Sequence, residues 1–254
     1  MSSSELRAQA REALRGKWGK AVVLILSYLG IMIGISLLLA IIPLIGSIAS
    51  FVISPVITYG FYVSIMKLRR GEEVKNTGFL TDGFANFKRV WCVLGHTMKK
   101  MLLPTILVIV FSLFSVSRII GSVILRHSDS TALASGLLGM SFVLNLGYII
   151  SIIYFVIKSL SYILTNYILY DNPNMTNKEI VEESEKLMNG NRIKAIWLCI
   201  TFAGWLILSA FTMYIGLLWL VPYVNVAMVC FYEMLSNKNT IEVNEENNPI
   251  SEKY

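Results

Sequence analysis

Charged residues are scarce in this sequence. Asp, Glu, Lys and Arg make up 15% of its 254 residues, whereas about 25% is usual in a soluble domain, whose surface must be solvated. Residues 21–66 and 195–232 contain no charged side chain and no histidine. Because a helix needs only about 20 residues to cross the hydrocarbon of a bilayer, each run is long enough for two crossings. The composition argues against a soluble globular domain and predicts a multi-pass membrane protein.

Residues that carry catalysis or bind metals are also few. The cysteines Cys92, Cys199 and Cys230 form no closely spaced pair, which argues against a disulfide framework or a zinc motif. The sequence has no HExxH motif, phosphate-binding glycine loop, Ser-His-Asp set or pair of carboxylates. We therefore expect no enzymatic activity, no cofactor, no metal and no nucleic-acid partner.

Apolar runs alternate with charged segments along the chain. This pattern predicts an all-α, polytopic membrane bundle with six transmembrane helices arranged as three hairpins, each preceded by a cytoplasmic amphipathic helix. The predicted spans cover about 21–42, 47–66, 101–125, 134–158, 195–213 and 216–235. They make a transmembrane domain, 21–235, with an N-terminal helix before it, 1–20, and cytoplasmic segments at 67–100 and 171–194. The polar tail, 236–254, is poor in aromatic residues, and we expect it to be disordered.

The distribution of Lys and Arg predicts the orientation. Nineteen of the 22 basic residues fall in segments on one side of the predicted spans, and only Arg118 and Arg126 fall on the other. The remaining one, Lys158, lies within or at the end of span four. Loops rich in Lys and Arg stay in the cytoplasm. Both termini are therefore predicted to be cytoplasmic.

Each cytoplasmic segment has the pattern of an amphipathic helix. Ser2 and Glu5 predict a capping box at the start of the first, and Thr176 and Glu179 predict another at the start of the third. Gly190 is predicted to stop the third helix. In the second, apolar residues between Leu80 and Met98 keep a helical period, with basic residues between them.

The basic amphipathic segments are candidates for contact with the membrane surface. Helices with Lys and Arg on one face and Leu, Phe and Trp on another lie in the interface, where anionic headgroups attract them. The candidate residues are Arg7, Arg11, Arg15, Trp18, Lys88, Arg89 and Trp91. The alternative is that these segments pack on each other beneath the membrane. The third segment is acidic, which favours protein contact there.

Two parts of the chain resemble each other. Residues 16–30, GKWGKAVVLILSYLG, align with residues 190–204, GNRIKAIWLCITFAG, with two glycines and a lysine among the identities. Both units would enter the membrane from the cytoplasm, as parallel repeats do. Duplication is one explanation. Chance similarity between apolar spans is the other.

Few polar groups lie within the predicted spans. Lys158 is either a snorkelling side chain or a counter-charge for an anionic ligand. Asn145 and Asn225 are expected to hydrogen-bond between helices. Helix kinks are predicted at Pro55, Pro104 and Pro222, and the Gly30–Gly34 pair forms a GxxxG pattern that favours close helix approach.

Four stretches resemble a known family. ELRAQAREALRGKWGKAV near the start, YDNPNMTNKEIVEESEKLMNGNRIKAIWL after span four, FAGWLIL in span five and PYVNVAMVCFYEML in span six resemble bacterial membrane proteins of the domain of unknown function 975. The resemblance implies a multi-pass protein of the plasma membrane, mostly of Gram-positive bacteria. It also implies a distant similarity to membrane regions attached to some glycerophosphodiester phosphodiesterases, and it supplies no catalytic residues.

These features predict a non-enzymatic scaffold or interaction protein. Its basic helices would engage anionic headgroups of the cytoplasmic leaflet, and its bundle would bind a membrane-protein partner or a second copy. The alternative is a transporter or permease component for an amphiphilic or peptide substrate. That alternative predicts a cleft that contains Lys158, Asn145 or Asn225.

Overall fold

The computed structural model describes residues 2–125 and 131–247, without the side chains of residues 43, 115–142 and 238–247. All regular elements in these ranges are α-helices. In chain order they are α1 (Ser3–Leu14), α2 (Trp18–Ala40), α3 (Pro43–Arg70), α4 (Gly78–Ala85), α5 (Phe87–Leu125), α6 (Thr131–Leu160), α7 (Thr165–Asp171), α8 (Asn177–Met188), α9 (Arg192–Ile200), α10 (Ala203–Phe211) and α11 (Leu217–Asn247). The predicted all-α class is confirmed over these residues.

Six stretches are long and apolar enough to cross a membrane. They are Trp18–Ala40, Leu44–Arg70, Phe87–Phe114, Val143–Asp171, Arg192–Phe211 and Leu217–Asn237. Each contains or overlaps one predicted span. Arg126 lies outside the described residues and the side chain of Arg118 is not described, so the sparse basic residues predicted on the far side are not located.

The helix boundaries differ from the prediction in several places. The predicted amphipathic helix before span three is not separate, because α5 runs without a break from Phe87 into the apolar run. Lys99 and Lys100 are good helix formers, so nothing at the junction ends the helix. Turns interrupt the fourth stretch at 161–164 and the fifth at 201–202.

The tail, 236–254, is expected to be disordered, but its described part, 236–247, continues α11. The sequence contains no glycine or proline between Tyr223 and Asn248, so no residue in it breaks the helix.

The helices α1 and α8 have the same local structure. Both are 12 residues long and both begin with the predicted capping box, Ser2 with Glu5 and Thr176 with Glu179. Both are followed by a glycine in the left-handed region, Gly16 at φ 72° and Gly190 at φ 74°. A side chain is strained at such φ values, so the two glycines let the chain turn sharply into the next helix.

The buried core lies at one end of the bundle. It combines side chains of α1, about the last four turns of α3, α7, α8 and the middle of α11, including Leu14, Ile65, Ile168, Met188 and Phe231, with further residues from α2, α4, α5 and α9. Of the six apolar stretches, the one in α11 is the most buried. The parts of α2, α5, α6 and α10 farther from this core expose large apolar side chains, as helices that face lipid do.

A close helix approach occurs between α3 and α4. A Cβ atom on Gly60 would lie 1.8 Å from the carbonyl oxygen of Phe79, and one on Gly83 would lie 2.4 Å from that of Val56. Gly30 and Gly34 have no described atom within 4 Å of a Cβ position. The GxxxG pattern therefore marks no close contact among the described residues. Single glycines do: Gly60 and Gly83 where α3 meets α4, and Gly46, whose Cβ would lie 1.8 Å from the carbonyl oxygen of Leu39 on α2.

Candidate functional site

The site with the clearest chemical character is a cleft between α1, α10 and α11. It has a volume of about 480 Å³ and its lining is mainly apolar. We refer to it as the α1–α11 cleft. Two arginines, Arg7 and Arg11, lie at its α1 side, and the beginning of α2 contributes Trp18. The site therefore joins a cationic part to a long apolar part.

The two arginines have no anionic partner in the described protein. No described carboxylate forms an ion pair with Arg7 or Arg11, whereas Arg15 on the same helix lies 3.6 Å from Glu12. The Nε atom of Arg7 is buried and has no hydrogen-bond partner. A buried donor without a partner costs about 1–3 kcal/mol. An anion that enters the cleft would remove that cost.

The position of the arginines follows from how α1 is held. Leu6, Ala10 and Leu14 repeat every four residues and are all almost fully buried, so one face of α1 is fixed against the bundle. The hydroxyl of Tyr223 on α11 donates a hydrogen bond of 3.3 Å to the carbonyl oxygen of Arg7. Arg7 and Arg11 are on a neighbouring face, which the packing turns toward α10 and α11.

The apolar walls of the cleft are built from aromatic side chains. Trp205 and Leu208 on α10 and Trp219 on α11 are each half-exposed and face the cleft. The ring of Tyr223 packs edge-on against Trp18, at 6.2 Å between centroids, and against Phe202, at 5.0 Å. These contacts fix the base of the cleft, because edge-to-face aromatic pairs have a preferred geometry.

The hydroxyl groups in the cleft are used locally. Ser209 donates to the carbonyl of Leu206 at 2.6 Å, and Thr212 donates to the carbonyl of Ser209 at 2.9 Å. Thr212 also accepts the backbone N–H of Gly216 at 3.1 Å. These donors already have partners, so the part of the cleft beyond the arginines offers apolar contact and little hydrogen bonding.

The candidate membrane-surface residues divide into three groups. Arg7, Arg11 and Trp18 meet in the cleft, and Arg15 and Lys88 are exposed outside it. The remaining two, Arg89 and Trp91, hydrogen-bond to protein, and their contact with headgroups stays a prediction.

Arg89 bonds to the carbonyls at the end of α7. Its guanidinium donates to Leu169 at 3.3 Å, Asn172 at 2.6 Å and Met175 at 3.0 Å. Trp91 donates to the carbonyl of Val52 at 3.1 Å, close to Pro55.

The predicted intramembrane polar residues do not meet in one place. Lys158 forms an ion pair of 3.2 Å with Glu185. Asn225 donates to the carbonyl of Val221 in its own helix at 2.8 Å, and Asn145 is exposed on α6. None of the three lines the α1–α11 cleft. The described bond of Asn225 therefore lies within α11, and the bond between helices expected of Asn225 stays a prediction.

The three prolines lie inside helices, Pro55 in α3, Pro104 in α5 and Pro222 in α11, and the kinks expected there stay a prediction. Proline removes a hydrogen bond of the helix. The bonds that Asn225 and Trp91 make to backbone carbonyls occur near two of these interruptions.

A layer of ion pairs lies beside the core. Arg70 binds Asp171 through two hydrogen bonds, at 2.7 and 2.8 Å, and Glu233 is within ion-pair distance of Arg69 and Arg70. Lys67 pairs with Asp82 at 2.7 Å. These pairs join α3 to α4, α7 and α11, and their role is structural because each charge has a partner.

Glu185 on α8 links two further helices. It accepts hydrogen bonds from Lys100 on α5 at 2.8 Å and from Lys158 on α6 at 3.2 Å. The bond from Lys100 and the additional one from Lys158 lower the pKa of Glu185 from its usual 4.5, although partial burial opposes the change. Lys158 is thus the partner of a carboxylate.

Among the described residues, no group of three or more His, Cys, Asp and Glu side chains could hold a metal ion.

Sequence reasoning did not find the other half of the cleft. Trp205, Leu208, Trp219 and Tyr223 are ordinary members of apolar runs, and no spacing in the sequence connects them with α1. The available signal was the tryptophan distribution, since three of the five in the chain, including Trp18, line one site.

The helices and the cleft define a class. Six helices suited to crossing a membrane are those of a multi-pass helical membrane protein. Residues 1–239 match the family described as protein of unknown function (DUF975), and the chain belongs to that family. The family named from the sequence is thereby confirmed. No curated protein and no solved structure matches the chain.

Proposed function

We propose that this is a non-enzymatic protein of the bacterial plasma membrane that engages anionic lipids of the cytoplasmic leaflet and serves as a scaffold there. In this arrangement both termini are cytoplasmic, and the core with its ion-pair layer lies at the cytoplasmic side. The remaining parts of the six helices extend into the bilayer as three hairpins.

The supporting observation is a set of basic side chains without protein partners. Arg11, Lys20, Lys88 and Lys99 are exposed and form no ion pair with a described carboxylate. They belong to the same basic segments that the charge distribution assigns to the cytoplasm. Each Lys or Arg near an anionic membrane surface contributes about 1 kcal/mol of attraction, so four of them favour anionic lipid clearly.

The helix α1 does not act as a free amphipathic peptide in this proposal. Its apolar residues Leu6, Ala10 and Leu14 are buried against protein, so they are not available to enter the lipid. The bundle instead holds the helix and presents its arginines. An isolated N-terminal peptide would expose the buried face and is the wrong object for a test.

The test uses the full chain reconstituted in bilayers of phosphatidylcholine, with or without a minority of phosphatidylglycerol. Spin-labelled lipids report which headgroup is immobilised by the protein. We expect a preference for phosphatidylglycerol that weakens as salt rises, because salt screens exposed charges. The combined substitution Lys20→Gln, Lys88→Gln and Lys99→Gln should reduce the preference.

The matched control is Lys178→Gln, which removes one positive charge that is already paired with Glu182. It should leave the preference unchanged. Equal immobilisation of the two lipids at low salt would contradict the proposal.

The two similar parts of the chain support a duplicated unit made of a capped helix and the span after it. Beyond the shared caps and glycines, Ala21 and Ala195 are both fully buried, as are Leu24 and Leu198. Further sequences of the family test this. The paired positions should resemble each other within each sequence, and unrelated residues at Gly16 and Gly190 in most members would argue for chance.

No described observation favours transport. That alternative requires Lys158, Asn145 or Asn225 to line a cleft, and the described structure gives Lys158 and Asn225 partners within the protein while Asn145 lies on an exposed face.

A further inference from the structure

We propose that the α1–α11 cleft is a specific site for one anionic, phosphate-bearing membrane lipid. The phosphate would bind Arg7 and Arg11, and an acyl chain would lie between Trp205, Leu208 and Trp219. The inference deepens the proposed lipid engagement and rests on it: it assigns one bound lipid to one place on the surface.

The cationic part of the cleft fits a phosphate. Arginine presents its N–H donors in a planar fork that matches phosphate oxygens, and such charge-assisted bonds are stronger than neutral ones. Arg7 and Arg11 are one helical turn apart on α1, so their side chains are neighbours. Arg7 already has a buried Nε donor without a partner. The two charges are therefore uncompensated and close enough to share one anion.

The apolar part of the cleft fits a hydrocarbon chain. A volume of about 480 Å³ lies within the range of about 300–1,000 Å³ that is usual for ligand sites. The hydroxyls of Ser209 and Thr212 already bond to their own helix. A soluble anion would fill only the arginine end and leave this apolar part in contact with water.

The cleft is also accessible from the bilayer. Its walls belong to α10 and α11, within the apolar stretches Arg192–Phe211 and Leu217–Asn237, and their cleft-facing tryptophans are half-exposed. A lipid can enter sideways, without leaving the bilayer. An anionic amphiphile thus satisfies both parts of the site.

The experiment uses the tryptophans of the site as its probe. With Trp91→Phe and Trp197→Phe combined, the remaining tryptophans are Trp18, Trp205 and Trp219. The protein is reconstituted in phosphatidylcholine bilayers that contain a minority of either phosphatidylglycerol or phosphatidylcholine with brominated chains, which quench tryptophan on contact. We expect brominated phosphatidylglycerol to quench more than brominated phosphatidylcholine at the same mole fraction.

The arginines should account for that difference. Arg7→Gln and Arg11→Gln should each lower the relative association constant by at least about tenfold, because each would remove a charge-assisted hydrogen bond to the phosphate. The matched control is Arg15→Gln, which removes one charge from the same helix outside the cleft and should retain the difference. Circular dichroism verifies that each variant is folded, and native mass spectrometry of the unsubstituted chain should show one retained phosphatidylglycerol.

The outcomes separate this site from the general proposal. Equal quenching by the two brominated lipids, with the spin-label preference intact, would overturn the specific site and leave the lipid engagement standing. Loss of both preferences would overturn both. If inorganic phosphate removed the excess quenching while chloride of the same ionic strength did not, the cleft would be a phosphate site and its assignment to a lipid would be wrong.

Discussion

The crossing of α3 and α4 gives the sharpest test of the packing. A Cβ on Gly60 would lie 1.8 Å from the Phe79 carbonyl oxygen, and ordinary contact begins at 3.4 Å. The two helix backbones would therefore have to separate by about 1.6 Å. Backbone atoms cannot rotate out of the way as a side-chain end can, so the whole of α4 must move.

The expected cost can be estimated from the groups that would shift. Overpacking costs about 1–3 kcal/mol, and moving α4 also disturbs the fully buried Phe79 and the 2.7 Å ion pair between Lys67 and Asp82. Alanine recovers up to about 1 kcal/mol through its higher helix propensity. We expect Gly60→Ala to lower the free energy of unfolding by about 2 kcal/mol, and Gly83→Ala to act in the same direction.

The assay is unfolding by SDS from mild detergent micelles, followed by near-ultraviolet circular dichroism. Gly95→Ala on α5 is the matched control, because no described atom lies within 4 Å of its Cβ position. It should raise the free energy of unfolding by about 0.5–1 kcal/mol. If Gly60→Ala and Gly83→Ala were as stable as Gly95→Ala, the close crossing and the reasoning from it would be refuted.

Further predictions concern the charged and capping contacts. Glu185→Gln should lower the free energy of unfolding by about 1 kcal/mol, measured in the same assay. Because the folded-state pKa of Glu185 lies below 4.5, its contribution to the free energy of unfolding should be complete above pH 4.5 and should be lost as the pH falls through the lowered value. If the variant and the parent differed in free energy of unfolding by the same amount at every pH, this reasoning would be contradicted. Thr176→Ala should lower the free energy of unfolding by about 1 kcal/mol, because α8 loses its N-terminal cap. Faster amide hydrogen exchange in the first turn of α8 would show this loss. Arg89→Gln should cost about 2 kcal/mol, because it leaves carbonyls at the end of α7 without their donor; unchanged protease sensitivity at 172–176 would argue against it.

Local features of the fold could be predicted from the sequence. The ends of α1 and α8 were predictable because a capping box and a following glycine act within a few residues. The six apolar stretches were predictable because length and hydropathy decide whether a helix suits a bilayer. The junction at Phe87 was not, because the amphipathic period and the apolar run are both helical and nothing between them marks a boundary.

Only part of the α1–α11 cleft could be predicted from the sequence. Arg7 and Arg11 were recognised from their four-residue spacing, and the structure places both in the cleft. Their apolar counterparts could not be assigned, because Tyr223 and Trp219 are brought to α1 by tertiary packing across more than 200 residues of sequence. Lys158 was a candidate for ligand binding because the sequence did not show its ion pair. Its carboxylate partner, Glu185, belongs to another helix and is brought to it by tertiary packing.

The hydrogen bond between Arg7 and Tyr223 joins residues 216 positions apart, and this separation affects the order of assembly. Chain synthesis at about 5–20 residues per second means that α1 exists for about 10–45 s before the helix it packs on has been made. During that interval the apolar face and the arginines of α1 would keep the helix on the surface of the bilayer. We expect α1 to dock once α11 has been made, so its affinity for the membrane surface would act first during biogenesis.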